Sequence, residues 1–229
     1  MALYALSDLH LSLSEDKPMD IFGDNWSNHD QKIIENWKEK ITKEDTVLIA
    51  GDISWSINIK EGIKELDWIH ELPGKKILAK GNHDYWWSGI KKLNGLYEDM
   101  NFIQNNSFSY KDYAICGSRG WIIPFGENVK EQDRKIYRRE IIRLKLSLDH
   151  AKSQGYSKII VMLHYPPFMD KIKNTEITEL MREYKVEKVI YGHLHGPSLK
   201  NAFQGKIYET EYIITSADYL NFNPIKILD

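Results

Sequence analysis

Five short stretches of this 229-residue chain carry groups able to hold a metal ion. They are Asp8-Leu9-His10, Gly51-Asp52, Gly81-Asn82-His83-Asp84, His164 and Gly192-His193-Leu194-His195. Each comes directly after an apolar run that reads as a strand. Together they supply two carboxylates, an amide oxygen and four or five imidazoles. Asp8 and His10 are two residues apart, as are His193 and His195. In extended chain, residues i and i+2 point the same way with Cα atoms ~6.6 Å apart, so an oxygen and a nitrogen can reach one ion. Two ions ~3.5–4 Å apart would let His193 serve one and His195 the other. Such a pair needs a bridging ligand, and Asp52 is the obvious carboxylate for it. Asn82 adds a neutral carbonyl oxygen and His164 a further nitrogen. Two divalent ions outweigh Asp8, Asp52 and a bridging hydroxide, leaving a net positive charge that attracts a phosphate ester. Mixed oxygen and imidazole donors suit Mn, Fe, Zn, Co or Ni better than Ca or Mg. With no thiolate among them, a structural zinc site is excluded.

The elements needed to aim these groups are legible. Residues 2–7, 45–50 and 76–80 read as strands, with helical apolar stripes between them at 28–41 (Ile33, Ile34, Trp37, Ile41) and from 58 to the Pro73-Gly74 stop. Strands alternating with helices predict a largely parallel sheet, whose ligands sit outside the carboxyl ends of the strands. A weaker helix is predicted over 89–100, then a strand at 102–103 and a hairpin over 107–117. Residues 11–28 and 118–128 read as loops. The longest helix is expected over 130–154, where Tyr137, Ile141, Leu144, Leu148 and Ala151 share a face. A buried strand over 158–163 delivers His164, and Pro166-Pro167 bar an immediate helix. A short helix over 176–184 precedes the strand at 186–191 that delivers His193 and His195. Further strands are expected at 206–209, 212–216 and 225–228. Two sheets packed face to face with helices outside would use all these strands. No repeat or linker is visible, so residues 1–229 read as a single domain.

The formal charge of −2 provides no basic field for long nucleic acids or an anionic membrane. Cys116 is the only cysteine, so the fold needs no oxidising compartment. No run approaches the ~20 apolar residues of a membrane span, and the N-terminus lacks the basic region of a signal peptide. The expectation is a soluble cytoplasmic protein without membrane partners.

The ordered blocks D-x-H, G-D, G-N-H-D, H and G-H-x-H resemble the calcineurin-like metallophosphoesterase superfamily, and they span most of the chain. The resemblance implies an α/β fold, a four-layer αββα sandwich of two mixed β-sheets flanked by helices. It assigns Asp8, His10, Asp52 and His195 to one metal, and Asp52, Asn82, His164 and His193 to the other. It makes His83 a catalytic group that acts on the phosphate rather than a ligand. The activity implied is hydrolysis of a small phosphomonoester or phosphodiester by in-line attack of a hydroxide bridging two divalent ions, with Mn the natural choice in vitro. Two alternatives stand beside it: a nucleotide or cyclic-nucleotide phosphodiesterase or nuclease, and a non-catalytic scaffold of the same fold.

Several residues are weighed against blander roles. Asp84 is expected to orient a ligand or cap the next helix. Arg119 follows a strand and is either a clamp on a phosphate oxygen or half of a surface salt bridge. Tyr85, Trp86, Trp87 and Tyr165 are placed in the core sooner than on a pocket wall. His29, His70 and His150 read as surface or second-layer residues, and Cys116 as a buried small side chain.

Overall fold

The computed structural model describes residues 1–14, 17–126, 129–169 and 172–229. Positions 15–16 and 127–128, in the two loops read from the sequence, and 170–171, between the strand expected at 158–163 and the helix expected at 176–184, lie outside the described residues.

The apolar strands are buried on both faces because each is sandwiched. In β2 (Thr46–Ala50), Val47 and Ile49 point to one side. There they meet Ile33 and Trp37 of α1 (His29–Lys40) and Leu66 and Ile69 of α2 (Ile59–His70). Leu48 and Ala50 point to the other side, into a core shared with the second sheet. In β7 (Lys158–Leu163), Ile159, Val161 and Leu163 face α4 (Glu131–Ser153) and α5 (Glu176–Glu183), while Ile160 and Met162 enter the shared core. Side-chain alternation along the strand turns one apolar run into two packing faces. Three cores between four layers follow, which is the αββα arrangement.

The first sheet runs β11 (Ile225–Leu228), β1 (Leu3–Ala5), β2, β3 (Lys75–Ala79), β4 (Met100–Ile103), parallel except for the β11 edge. The second runs β5 (Phe108–Tyr110), β6 (Tyr113–Ser118), β7, β8 (Lys188–Tyr191), β10 (Thr210–Ile214), β9 (Gly205–Ile207). Its four central strands are parallel and both edges antiparallel. The sheets are stitched at their carboxyl ends. Ser7 N donates to Thr215 O (2.8 Å), Ala217 N donates to Ser7 O (3.0 Å), and the Ser7 and Thr215 hydroxyls lie 2.8 Å apart. Asp8 begins at this seam.

Two readings of the sequence are corrected. The helix expected over 89–100 is confined to α3 (Ile90–Leu93). Asn94 leaves the helix pattern because its side-chain oxygen accepts from Phe102 N at 2.7 Å and its amide donates to Phe102 O at 3.3 Å, tying it to β4. The loop at 11–28 contains two 3-10 helices, Met19–Phe22 and Asp24–Trp26, which bury Met19 and Trp26. Another 3-10 helix, Gly196–Asn201, follows the last histidine pair. Among the described residues, no helix is long and apolar enough to cross a membrane.

Candidate metal centre

The histidine and aspartate pairs are aimed by loops, not by strand pleating. β1 ends at Ala5, and Asp8 and His10 both have positive φ, 60° and 45°. Asp52 (48°) and His193 (71°) share this left-handed conformation. The i, i+2 argument from extended chain therefore does not describe these pairs. Each such residue costs about 1–3 kcal/mol and persists only where its surroundings enforce it. Here a ladder of loop hydrogen bonds does so: Asp8 N to Gly51 O (2.9 Å), His10 N to Asp52 O (3.0 Å) and Leu11 N to Ile53 O (3.0 Å). Glycine is required where loops touch. A Cβ on Gly81 would stand 2.1 Å from Asp52 Oδ1, and one on Gly192 would stand 2.2 Å from Asp8 Oδ2.

The loops bring the donors together as two clusters, Asp8–His10–His195 and Asp52–His164–His193. Within each, the donor atoms lie within 4.8 Å of one another. His10 Nε2 and His195 Nε2 are 3.3 Å apart in the first, and His193 Nδ1 and His164 Nε2 are 3.2 Å apart in the second. Asn82 Oδ1 joins the second cluster, 2.7 Å from His164 Nε2. One atom stands between the clusters. Asp52 Oδ2 is 3.8 Å from His10 Nε2 and 3.4 Å from His164 Nε2. Its partner Oδ1 accepts the His83 backbone N–H at 2.8 Å. The His83 ring lies outside both clusters, with Nε2 4.0 Å from Asp52 Oδ2 and its side chain one-third exposed.

The electrostatics favour cations here. Asp8 and Asp52 are both buried, and the Asp52 charge acts on Asp8. Burial would lower the pKa of His195, but Asp8 and Asp218 outweigh it and raise the value to about 10, so a proton sits where a positive charge is wanted. His10 and His193 go the other way. Burial foremost lowers them to about 3 and about 4, which leaves their nitrogen lone pairs free at neutral pH, the state a metal ligand needs. The donor set therefore fits divalent ions, and the two clusters with a shared carboxylate oxygen suggest two of them.

A second layer holds the donors. His164 Nδ1 is 3.2 Å from Ala50 O, and His195 Nδ1 is 2.8 Å from Asp218 Oδ1. Such partners fix the tautomer and aim the other ring nitrogen. Asp218 was not anticipated from the sequence. It lies past β10, the strand beside β8, so the two strand ends meet, but 23 residues separate it from His195. His29 Nε2 reaches the His10 carbonyl at 3.3 Å, as a second-layer residue would. Asp84 neither touches a donor side chain nor caps a helix. Its oxygens accept from Gly81 N (2.7 Å), Ile53 N (2.9 Å), Ser54 N (3.2 Å) and Trp86 Nε1 (3.1 Å), which locks the loop of Asp52 to the loop of Asn82.

The Arg119 guanidinium is engaged with α4. It lies 3.4 Å from Glu140 and stacks over Trp121, while its carbonyl accepts from His164 N and Tyr165 N. The salt bridge is the arrangement the structure supports. Arg119→Ala is expected to change KM by less than about threefold, because the group removed faces Glu140. A hundredfold rise in KM with the fold intact would restore the clamp. Trp86 is buried in the first core, Tyr85 is exposed, and Trp87 donates to Gln104. Tyr165 packs on His193 with ring centroids 4.0 Å apart. Trp55, which carried no signal in the sequence, stacks on His10 (5.0 Å) and packs against His83 (4.2 Å).

Two cavities flank the centre. One of about 330 Å³ is lined by Phe22, Trp26, Trp55 and Pro197 together with His10, His83 and His195. The second, about 290 Å³, opens beside His193 and is lined by Tyr165, Ile123 and Phe168 among others.

Known proteins resemble this chain in sequence over part of its length or in fold. The "Gene 66 protein" of Mycobacterium phage L5 is 40% identical over 78 residues, 34% of this chain and 37% of that protein. The "Gene 66 protein" of Mycobacterium phage D29 is 39% identical over 118 residues, 49% of this chain and 52% of that protein. The chain thus matches about half or less of the length of these curated relatives. The crystal structure of the protein TT1561 of Thermus thermophilus superimposes with a TM-score of 0.61 at 9% identity, covering 99% of this chain and 97% of that one, a likeness of fold alone. Residues 1–197 match the model of the calcineurin-like phosphoesterase family, from Asp8 through His195, and the chain belongs to that family.

Proposed function

We propose that this protein is a metal-dependent phosphoesterase that works with two divalent ions on a small phosphomonoester or phosphodiester. The observation that carries the reading is the position of Asp52 Oδ2, between two clusters of buried donors and beside the His83 ring. Asp8, His10, Asp52 and His195 would hold one ion, and Asp52, Asn82, His164 and His193 the other. Bound there, the ions would supply Lewis acidity toward phosphoryl oxygens and a lowered pKa for water, and Mn is the ion to try first. The chain's own part is alignment. The Asp84 lock holds the Asp52 and Asn82 loops in register, so both donor sets face one phosphoryl group. His83 reaches that group from the open side. Burial foremost, with His164 and Lys17 nearby, lowers its pKa despite Asp52. It is therefore a neutral imidazole with one N–H to donate to a phosphoryl or leaving oxygen. The donor set is complete, which favours an enzyme over a scaffold. The cavities beside the centre have the size of small-molecule pockets, which favours a small ester over a polymer.

The test is hydrolysis of p-nitrophenyl phosphate and bis(p-nitrophenyl) phosphate by metal-stripped protein, with and without added Mn. Mn-dependent turnover supports the reading, and the faster ester distinguishes monoesterase from diesterase. Two bound ions without turnover on these or on a nucleotide panel would favour the scaffold. His83→Ala is expected to lower kcat about a hundredfold while leaving metal content unchanged by elemental analysis. Loss of an ion in that variant would move His83 into the coordination shell.

A further inference from the structure

We infer that the cavity between the 3-10 turns at 19–26 and Trp55 is the leaving-group subsite, and that it selects phosphate esters of flat aromatic alcohols. The inference rests on the phosphoesterase reading and adds the substrate class to it.

The cavity is built from chain that the donor loops do not need. Residues 19–26 form two short 3-10 helices with Met19 and Trp26 anchored in the core, which leaves the Phe22 ring more than half exposed at the cavity wall. Trp55 is fixed in orientation by three contacts: the His10 ring stacked at 5.0 Å with a 26° interplanar angle, its Nε1 on Met19 Sδ at 3.1 Å, and Lys17 Nζ over the ring at 4.0 Å. His10 and Lys17 already sit on this ring, so what the held indole offers is a rigid apolar wall, which loses little entropy when a ligand ring packs against it. Gly196 also lines the cavity, and no atom lies within 4 Å of the position its Cβ would take.

The lining chemistry narrows the occupant. None of the described residues lining this cavity carries a carboxylate, an ammonium or a guanidinium. A cationic peptide would meet no carboxylate there and would face Lys17 Nζ on the Trp55 ring, and a sugar chain would lose hydration for few partners. A ring system loses nothing by leaving water and gains from burial. The volume, about 330 Å³, lies at the small end of ligand pockets and suits one ring system rather than a polymer.

Position identifies the cavity with the leaving group. Its inner wall is His10, His83 and His195, so it opens directly onto the first donor cluster. The cavity beside His193 lacks His83. In hydrolysis the P–O bond to the alcohol breaks, the oxygen of water bonds to phosphorus, and the proton lost by water ends on the departing oxygen. The group able to donate a hydrogen bond to that oxygen is His83, so the alcohol is placed on the His83 side.

The experiment uses non-hydrolysable phosphonates, so leaving-group acidity plays no part. Methylphosphonate, benzylphosphonate and naphthylmethylphosphonate are titrated into Mn-loaded protein by calorimetry, and hydrolysis of the p-nitrophenyl esters is measured on the same preparation. Wild type is expected to bind the naphthyl compound at least about tenfold more tightly than methylphosphonate, the gain for burying a ring. Trp55→Ala and, independently, Phe22→Ala should bring that ratio to within about threefold of unity, while Ile123→Ala in the other cavity should preserve it. Phe22 is exposed, so its variant tests the subsite even if Trp55→Ala fails to fold. Equal affinity across the series in a protein that hydrolyses the esters would overturn this inference alone. A ratio lost in Ile123→Ala and kept in the other two would move the alcohol to the His193 side and overturn it as well. Absence of both phosphonate binding and Mn-dependent hydrolysis would overturn the phosphoesterase reading and this inference with it.

Discussion

Asp52→Asn is expected to lower kcat/KM for the better p-nitrophenyl ester by about a thousandfold or more, since it removes a charge worth several kcal/mol of transition-state stabilisation. The substitution is chosen for what it keeps. An asparagine oxygen in the place of Oδ1 can still accept the His83 N–H now held at 2.8 Å, so the backbone of the His83 loop stays anchored. What changes is the other atom. Oδ2, 3.8 Å from His10 and 3.4 Å from His164, becomes an amide nitrogen with hydrogens aimed at both donor clusters. No bridge can form through it, and one negative charge leaves a site otherwise built to attract cations. Elemental analysis should find fewer ions per chain than in wild type, with an unchanged circular dichroism spectrum. Activity within tenfold of wild type with metal content intact would show that Asp52 does not join the two clusters, and the proposed centre would have to be redrawn.

The sequence carried the strands and the donors well for different physical reasons. Runs such as Val47-Leu48-Ile49-Ala50 and Ile159-Ile160-Val161-Met162-Leu163 announce strands because both faces are buried, and each face meets a different layer. The donor residues were legible as types placed after strands. Their aiming was not, because positive φ at Asp8, His10, Asp52 and His193 is imposed by hydrogen bonds between loops distant in sequence. Long-range partners explain what the sequence left open or did not show. Arg119 stands where a clamp would stand, but Glu140 on α4 decides where its guanidinium goes. Asp218 is a lone acid after a strand, and only the pairing of β8 with β10 brings it to His195. Trp55 sits in a short polar connection and gains its place by stacking on His10. Local chemistry was misjudged once, at Asn94-Gly95, where an asparagine that pairs with Phe102 ends α3 early.

Asp84→Ala is expected to cost about 3–5 kcal/mol of stability, because it strips four N–H donors of one acceptor group in a site with no access to bulk water. The Asp84 side chain is fully buried, and its two oxygens divide the work. Oδ1 accepts from Ile53 N, Ser54 N and Trp86 Nε1, and Oδ2 accepts from Gly81 N. For a chain of this size, a loss of that magnitude lowers Tm by roughly 10 °C. Burial first and the Asp52 charge second raise the Asp84 pKa to about 6 in the metal-free protein, so the carboxylate is held there at the expense of its own ionisation. Such a cost is sustained by what the carboxylate positions, namely Asp52 on one loop and Asn82 on the other. Asp84→Asn separates the two roles. With its oxygen in the place of Oδ1 it keeps three of the four bonds, but it turns an NH2 toward Gly81 N, so the Asn82 loop must shift. That variant should lose turnover by tenfold or more, the usual scale for a group that orients metal ligands, while losing only about a third of the stability lost in Asp84→Ala. Differential scanning calorimetry beside Mn-dependent hydrolysis reads both quantities. A Tm within 2 °C of wild type for Asp84→Ala, taking about 2–4 °C per kcal/mol, would mean that water replaces the carboxylate and that the loops are held in register by something else.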